Sequence, residues 1–323
     1  MTYFLAGDIG GTKTLLQIFA SGNERVPLLQ KSYSSASYAG LSEILDEFTR
    51  EAGVAALSSA CFAIAGPVAG RKVKLTNLPW EVDADALESH LGGVQVSVIN
   101  DFEAVGLGVA ALSNADLLFL QQGEAVPQGI RLVVGAGTGL GVAWLSSQNG
   151  CYVVHPSEGG HMDFAPTDDE QYALLHYLQQ RYGHVSYERI VSGPGLVAIY
   201  EFLRDSALYV PSAAFVDALR NGDQAAIISS SVKSEAIAGH ALRLFVSIYG
   251  AFTGNLALAA LPRGGIYVAG GIAAKISAHM QAGEFMHAFC AKGRFDGLLS
   301  TLPVAIVNNP HVGLLGASLR AQN

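Results

Sequence analysis

Short apolar runs alternate along the chain with segments of helical periodicity, which is typical of mixed α/β proteins. Apolar residues with helical spacing predict an amphipathic helix over 41–52, and a buried run predicts a strand over 60–65 that ends at Gly66. The same reasoning predicts further helices over 82–91, 102–112, 170–181, 194–203, 231–261 and 312–321, and further strands over 26–33, 72–76, 94–99, 265–269 and 302–307.

A glycine-rich link joins the first two predicted strands, residues 3–6 and 15–19, and this arrangement predicts a hairpin. Gly10 and Gly11 allow positive φ angles and a close approach of ligand to backbone. Consecutive N–H groups in such a turn can bind an anion. A cation between that anion and the Asp8 carboxylate would offset the repulsion between their negative charges. The stretch alone is equally compatible with an ordinary tight hairpin in which Asp8 is a turn former.

The same pattern returns at 131–144, again as strand, glycine-rich link and strand. At a fixed offset Gly7 matches Gly135 and Gly11 matches Gly139, which indicates an internal duplication. The second link lacks the last glycine of a dinucleotide fingerprint, because residue 140 is Leu, and a strand rather than a helix follows it. A Lys-Ser/Thr phosphate loop is also absent from the sequence. The pattern favours two lobes, with a cleft between them, that grip one polyphosphate.

Composition narrows the functional classes. Half of the 323 residues are hydrophobic and 14% are charged, which predicts a large buried core. The net charge of −8 argues against a general nucleic-acid or acidic-lipid surface. The sequence contains three cysteines, Cys61, Cys151 and Cys290. Their spacing matches no metal-binding or disulfide motif, which is typical of a protein in a reducing cytoplasm. The chain begins almost directly with a strand, so we expect no signal peptide.

The uncharged segment 245–262 contains polar residues and a terminal proline, which favours a buried helix over a membrane span.

Several motifs together resemble bacterial glucokinases of the sugar kinase–actin superfamily. They are 7–12 (GDIGGT), 99–102 (INDF), 135–141 (GAGTGLG), 157–165 (SEGGHMDFA), 190–195 (IVSGPG), 270–271 (GG), 292–295 (KGRF) and 309–316 (NPHVGLLG). The resemblance covers nearly the full length, with the motifs in order. It implies an α/β, two-lobed, actin-like or ribonuclease H-like kinase fold that uses ATP and Mg²⁺ to phosphorylate glucose. The zinc-binding cysteine cluster of the repressor–kinase group is absent from the sequence, so no structural metal is expected.

The resemblance implies that Asp101 is the general base of phosphoryl transfer and a sugar ligand. Without the resemblance, the sequence favours Asn100 and Asp101 as residues that cap the N-terminus of a helix. Glu158 and His161 are implied sugar ligands; the competing interpretation is half of a Glu-x-x-His metal site, for which no second pair exists in the sequence. Glu188 is implied as a further ligand but alone reads as a surface carboxylate. The implied substrate-binding residues are thus Asn100, Asp101, Glu158, His161 and Glu188, and Asn77 is a further candidate.

The nucleotide side is also implied by the resemblance. Asp8 would hold Mg²⁺, through water, because Mg²⁺ keeps several waters and few carboxylates. Thr12 and the N–H groups of Gly10 and Gly11 would hold the β/γ end of ATP, and Gly270 and Gly271 would receive adenosine. Lys13 departs from the Asn common in this group and has no assigned role. The implied cofactor-binding residues are Gly7, Asp8, Ile9, Gly10, Gly11, Thr12, Gly137, Thr138, Gly139, Gly270 and Gly271.

The predicted lobes are a small one, 1–111 completed by 302–323, and a large one, 112–301. We expect hinges near 106–112 and before Leu302, and closure that expels water. The resemblance implies a cytoplasmic homodimer that binds glucose and ATP and neither nucleic acid nor membrane. A kinase for another hexose or phosphoryl donor remains an alternative. A non-catalytic sugar-sensing regulator is less favoured, because it would need a DNA-binding appendage.

Overall fold

The computed structural model describes residues 2–23, 26–54, 56–66, 68–75 and 78–322. Its strands are β1 (Tyr3–Ile9), β2 (Lys13–Ala20), β3 (Leu29–Ser34), β4 (Ser59–Ile64), β5 (Val68–Ala69), β6 (Lys72–Lys74), β7 (Glu81–Asp83), β8 (Gln95–Asn100), β9 (Leu117–Gln121), β10 (Arg131–Ala136), β11 (Leu140–Gln148), β12 (Cys151–Ser157), β13 (Gly265–Ala269) and β14 (Val304–Val307). Its helices are α1 (Leu41–Ala52), α2 (Ala84–His90), α3 (Asp101–Ala110), α4 (Asp169–Tyr182), α5 (Gly193–Asp205), α6 (Ala213–Asn221), α7 (Gln224–Ser230), α8 (Ala236–Ala260), α9 (Gly271–Lys275), α10 (Ser277–Met280), α11 (Glu284–Cys290), α12 (Asp296–Leu299) and α13 (Val312–Ala321).

Most predicted elements are present, and α1, β13 and α13 have the predicted bounds. Two of the predicted starts are wrong by three residues or more. Strand β3 begins at Leu29 rather than residue 26, and α8 begins at Ala236 rather than residue 231, because 231–235 form a separate turn whose Glu235 N–H donates to the Ser231 carbonyl at 2.9 Å. Thr76 and Asn77, at the end of one predicted strand, lie outside the described residues.

The chain divides into two compact units. The first comprises 1–116, 148–156 and 309–323, and the second comprises 117–147 and 157–308. Strand β14 pairs in parallel with β13, within the second unit. The sequence-based division placed residues 302–307 with the first lobe, so the return to the first unit comes later than expected, at Asn309.

The first unit is built on a sheet of strand order β3-β2-β1-β4-β8. Strands β1, β4 and β8 are parallel, while β2 and β3 are antiparallel to their neighbours. Apolar cores cover both faces: one includes Ile44, Phe48 and Phe62, and the other includes Phe19 and Leu314. The carboxyl ends of three parallel strands therefore meet at one edge of this sheet.

The second unit repeats part of this plan. The strands β11-β10-β13-β14 follow the order of β2-β1-β4-β8 in the first sheet, and β9 is added at the edge beside β14. Strands β10 and β11 form an antiparallel hairpin, and β10, β13 and β14 are parallel. The topology agrees with the predicted duplication, but the fixed offset holds along the first strand of each hairpin only. At this offset Asp8 corresponds to Ala136. Asp8 pairs with Leu15, whereas Ala136 pairs with Leu140, so the turn between these paired residues is three residues shorter in the second hairpin.

The apolar segment predicted as a buried helix forms the C-terminal part of α8, up to Ala260. This helix is long and apolar enough to cross a membrane by length and composition, but 78% of its most apolar window is buried inside the protein. Tyr249 is fully buried there, and its hydroxyl accepts a hydrogen bond from the Ala136 N–H at 3.2 Å. Helix α8 is therefore a core helix that supports the end of β10.

Helices α3 and α13 of the first unit pack at glycine contacts. A Cβ atom at Gly316 would overlap the Ala104 carbonyl oxygen, and one at Gly108 would overlap the Val312 carbonyl oxygen. Neither obstacle is the end of a flexible side chain, so the helices would have to separate. This contact fixes the start of both helices relative to the strand ends.

We expect Gly316→Ala to lower the free energy of unfolding by about 1–3 kcal/mol, because overpacking forces the backbone to shift. Gly297→Ala is the matched control: Gly297 lies in α12 and has no atom within 4 Å of its added Cβ. That control should be neutral or stabilising by up to about 1 kcal/mol, since alanine favours helix. Urea unfolding measures both changes, and equal values for the two variants would contradict the close-contact account.

Candidate functional site

Two predicted site carboxylates lie at the carboxyl edge of the parallel strands in the first unit. Asp8 is the second-last residue of β1, and Asp101 begins α3 directly after β8. Strands β1 and β8 are both paired with β4, so their ends share one edge. The added Cβ of Gly313, at the start of α13, would lie 3.3 Å from the Asp8 Oδ2 atom. The sheet and two helix starts thus enclose a small acidic recess.

Asn100 is the N-cap of α3, as the alternative interpretation proposed. Its Oδ1 accepts hydrogen bonds from the N–H groups of Phe102 (2.9 Å) and Glu103 (3.3 Å), and its Nδ2 donates to the Gly66 carbonyl at 3.2 Å. An amide carries two N–H protons, so one further donor remains for a ligand. The cap therefore fixes the side chain and leaves room for the predicted sugar contact.

Asp101 points its carboxylate along the helix start, where Oδ1 accepts from the Phe102 N–H at 2.8 Å. A helix N-terminus favours negative charge, and a carboxylate has acceptor capacity beyond one hydrogen bond. Glu103 follows in the same turn, and burial raises the pKa of its carboxyl group. A carboxylate at a helix start can accept a further hydrogen bond or a proton.

Asp8 is the most perturbed acid of this recess. Burial, and then the nearby charge of Asp101, raise the pKa of the Asp8 carboxyl to about 6, while Lys13 acts in the opposite direction. A bound cation would relieve both causes, because it would offset the desolvation and the repulsion. The described residues hold no group of three or more His, Cys, Asp or Glu that could bind a metal. One or two carboxylates with substrate oxygens fit Mg²⁺, which keeps most of its waters.

We expect Asp8→Asn to stabilise the ligand-free protein at neutral pH by on the order of 2 kcal/mol, since each pKa unit corresponds to about 1.4 kcal/mol. Below about pH 4 the carboxyl is protonated in folded and unfolded chains, so the gain should vanish. As pH rises through 6, the wild type loses stability relative to the variant. Thermal unfolding from pH 4 to 8 measures this difference.

Asp83→Asn is the control for that experiment. Asp83 caps α2, and a hydrogen bond from Lys72 lowers the pKa of its carboxyl group. This substitution should bring no gain as pH rises. An Asp8→Asn protein whose stability relative to wild type is constant from pH 4 to 8 would contradict the assigned perturbation.

The first glycine link differs in detail from its prediction. The Gly10 N–H donates to the Lys13 carbonyl at 2.9 Å and closes the hairpin, so this N–H is not available to a phosphate. Neither Gly10 nor Gly11 adopts a positive φ angle, which corrects the reason given for these glycines. Within the described residues, the N–H groups of Gly11 and Thr12 have no hydrogen-bond partner. These two N–H groups, unlike that of Gly10, can donate to an anion.

Gly7 and Ile9 lie inside the first sheet rather than at its surface. A Cβ at Gly7 would meet the side chains of Phe62 and Leu16 at 2.7 and 2.8 Å, and the Ile9 side chain is fully buried. Gly7 leaves room for these neighbouring side chains and Ile9 packs in the core, so neither residue presents a side chain to a ligand.

The second glycine link borders a cavity of about 650 Å³ in the second unit. Gly193 donates its N–H to the Gly137 carbonyl, and Gly137 donates to the Gly139 carbonyl, both at 2.8 Å. Gly270 has φ +85°, and its added Cβ would overlap the Ala136 carbonyl oxygen. The predicted residues that line the cavity are Gly137, Thr138 and Gly271. A cavity of this size suits a nucleoside.

Several cavity residues were missed by the sequence reasoning. Arg181 forms an ion pair with Glu201, and Asp223 caps α7 by accepting from the Ala226 N–H at 3.2 Å. These residues, with Gln224 and Lys275, line the same cavity as the second link. The polar N-cap Asp223 ahead of an apolar segment was the available signal, because it predicts the start of the short helix α7.

Two predicted sugar ligands, His161 and Glu188, lie on short helical turns of the second unit, 159–161 and 187–189, and Glu158 directly precedes the first turn. The turns are neighbours, since the Tyr187 N–H donates to the Met162 carbonyl at 3.0 Å. Glu158 and His161 are 3.8 Å apart at their nearest charged atoms, and their side chains are 88% and 58% exposed. They are open to a ligand and form only a weak pair with each other.

Glu188 connects these turns to the second glycine link. Its Oε2 atom accepts from the Leu140 N–H at 2.9 Å, and an added Cβ at Gly139 would lie 2.6 Å from the same oxygen. Gly160 packs on the other side of Leu140, where a Cβ would overlap the Leu140 carbonyl oxygen. Close packing, rather than backbone freedom, is therefore the reason for a glycine at 160. Lys13 is exposed at the start of β2, and Asn77 lies outside the described residues.

Comparisons with known proteins agree with this architecture. A family model described as Glucokinase matches residues 5–323. The glucokinase of Nostoc punctiforme is 43% identical over 99% of this chain and 99% of its own length. Among solved structures, a glucokinase from an Antarctic psychrotroph has a TM-score of 0.87 at 27% identity and covers 100% of this chain and 99% of its own. A glucokinase of the ROK family from Streptomyces griseus, in complex with glucose and AMPPNP, shares the fold with a TM-score of 0.65 at 19% identity over 99% of each chain. The chain belongs to the glucokinase family.

Proposed function

We propose that this protein transfers the terminal phosphoryl group of ATP to the 6-hydroxyl of D-glucose, with Asp101 as the general base. The observation that supports it most is the family match over residues 5–323, combined with a carboxylate at the start of α3 beside a second, pKa-raised carboxylate. For phosphoryl transfer a protein mainly has to align the reactants, supply a proton acceptor and neutralise the charge of the phosphoryl group.

Each step is assigned to residues of this chain. Asn100, Glu158, His161 and Glu188 would bind the sugar hydroxyls, because amide, carboxylate and imidazole groups pair with groups that both donate and accept. Asp101 would accept the proton of the attacking hydroxyl, so that the oxygen carries its electron pair to phosphorus as the bond to ADP breaks. A wrong epimer would leave polar groups of the site unpaired.

The nucleotide would be shared between two sets of groups. Adenosine would occupy the cavity beside Gly137, Thr138 and Gly271, and the N–H groups of Gly11 and Thr12 would receive the terminal phosphates. Asp8 would hold Mg²⁺ through water, which neutralises developing phosphate charge when bound.

The experiment is a coupled assay across hexoses with ATP and Mg²⁺. We expect glucose to have the highest kcat/KM among glucose, mannose, galactose and N-acetylglucosamine. A higher kcat/KM for mannose or N-acetylglucosamine would contradict the assigned substrate, and a higher value with another phosphoryl donor would contradict the assigned nucleotide.

We further propose that the protein acts in the cytoplasm as a homodimer, in keeping with the family and with cysteines that form no pairs among the described residues. Light scattering coupled to gel filtration tests the oligomer. A monomer at assay concentrations would contradict this part of the proposal and leave the chemistry untouched.

A further inference from the structure

Ser35 lies behind the first glycine link and is fully buried. It follows β3 and starts a single 3₁₀ turn, 35–37. Its Oγ donates to the Gly10 carbonyl at 2.9 Å, and its N–H donates to the Thr12 carbonyl at 3.0 Å. One residue that is distant in sequence thus holds two carbonyl groups of the link.

Thr14 completes this buried cluster. Its Oγ1 lies 3.0 Å from the Ser35 Oγ, and its side chain is also fully buried. Because the Ser35 hydroxyl proton is directed to Gly10, Thr14 is the donor of this pair. Replacing two buried, bonded polar groups by apolar groups of the same shape is often nearly neutral for stability. The cluster is therefore better explained by the geometry that it fixes than by its contribution to folding.

The bond to Gly10 sets the direction of the neighbouring N–H. The Gly10 carbonyl and the Gly11 N–H belong to one planar trans peptide, so they point in opposite directions. Glycines on both sides of this peptide bond would otherwise let it rotate easily. An anchored Gly10 oxygen keeps the Gly11 N–H directed away from Ser35, and this N–H has no partner within the described part of the chain.

We propose that Ser35 is a positioning residue that directs the Gly11 N–H at the terminal phosphates of the nucleotide. The proposal rests on the proposed function only in taking the ligand to be ATP. Ser35 touches no substrate, and its effect passes through one peptide group. The buried hydroxyl holds this peptide group in one orientation before the nucleotide binds. The Gly11 N–H therefore does not have to be oriented during binding, which is the usual benefit of a preorganised donor.

The test compares Ser35→Ala with Thr14→Val, which removes a hydroxyl from the same cluster but leaves the bond to Gly10. We expect Ser35→Ala to lower kcat/KM for ATP by about tenfold to hundredfold, as for a misplaced binding group. Its affinity for AMPPNP, measured by calorimetry with Mg²⁺, should fall about tenfold, while its affinity for adenosine stays unchanged. Thr14→Val should lose stability and keep the wild-type affinity for AMPPNP.

Folded Ser35→Ala protein with wild-type AMPPNP affinity would overturn the inference, as would an equal loss for AMPPNP and adenosine. If Ser35→Ala does not fold, Ser35→Cys is the second variant, because it keeps the shape of the side chain with a weaker donor. It should show a smaller loss of AMPPNP affinity and an unchanged affinity for adenosine. Wild-type AMPPNP affinity in Ser35→Cys would overturn the inference. Wild type that binds AMPPNP without phosphorylating glucose would refute the proposed function alone, since the binding comparison still tests Ser35. Wild type that binds no AMPPNP would overturn both.

Discussion

Asp101→Asn is expected to lower kcat by a factor of about 10²–10⁴, the usual contribution of a general base. The amide keeps the shape of the side chain and can still accept from the Phe102 N–H, so the start of α3 should remain intact. It cannot take the proton of the sugar hydroxyl, because an amide oxygen is a far weaker base. Steady-state kinetics with glucose and ATP measure the loss, and both KM values should change much less than kcat.

Glu103→Gln is the matched control for this substitution. It makes the same change from carboxylate to amide in the same helical turn, where Glu103 is half-buried and near Arg320. We expect near-normal kcat from it. Near-normal turnover by Asp101→Asn would refute the base assignment, and equal losses in both variants would point to a general effect on the helix.

Glu188→Ala is expected to give the second largest loss. It removes one proposed sugar contact and leaves the Leu140 N–H without its acceptor, next to the second glycine link. Each hydrogen bond to a charged group contributes about 1.5–3 kcal/mol, so kcat/KM for glucose should fall by a factor of about 10–10². KM for ATP should also rise.

Glu188→Gln separates the two roles of this carboxylate. Its carbonyl oxygen can still accept from the Leu140 N–H, so KM for ATP should stay near wild type while KM for glucose rises. Glu170→Gln serves as the control, because Glu170 pairs with His240 elsewhere in the second unit. Normal glucose kinetics in Glu188→Ala would remove Glu188 from the site, and would support its interpretation as a structural carboxylate.

The elements that sequence reasoning located best have strong local signals. Helix α1 has apolar residues at helical spacing and a left-handed Gly53 at its end, and β13 is an apolar run that precedes Gly270 and Gly271. The two hairpins were found because their links are rich in glycine. Such signals depend on residues a few positions apart, which a single sequence displays directly.

The features that sequence reasoning missed depend on contacts between distant segments. Ser35 reaches Gly10 only because β3 pairs with β2, and Gly160 is required only because its position abuts Leu140. No local pattern records these approaches. The conflict over Asn100 has the same origin: an N-cap and a sugar ligand need the same residue type, and the structure shows the cap with one N–H to spare.

The central claim is tested most directly by product formation from glucose, ATP and Mg²⁺, read by a dehydrogenase specific for glucose 6-phosphate. We predict one equivalent of glucose 6-phosphate per ATP consumed with wild type, and a rate lower by about 10²-fold or more with Asp101→Asn. Glucose binding without any glucose 6-phosphate would contradict the account, as would ATP consumption that yields another sugar phosphate.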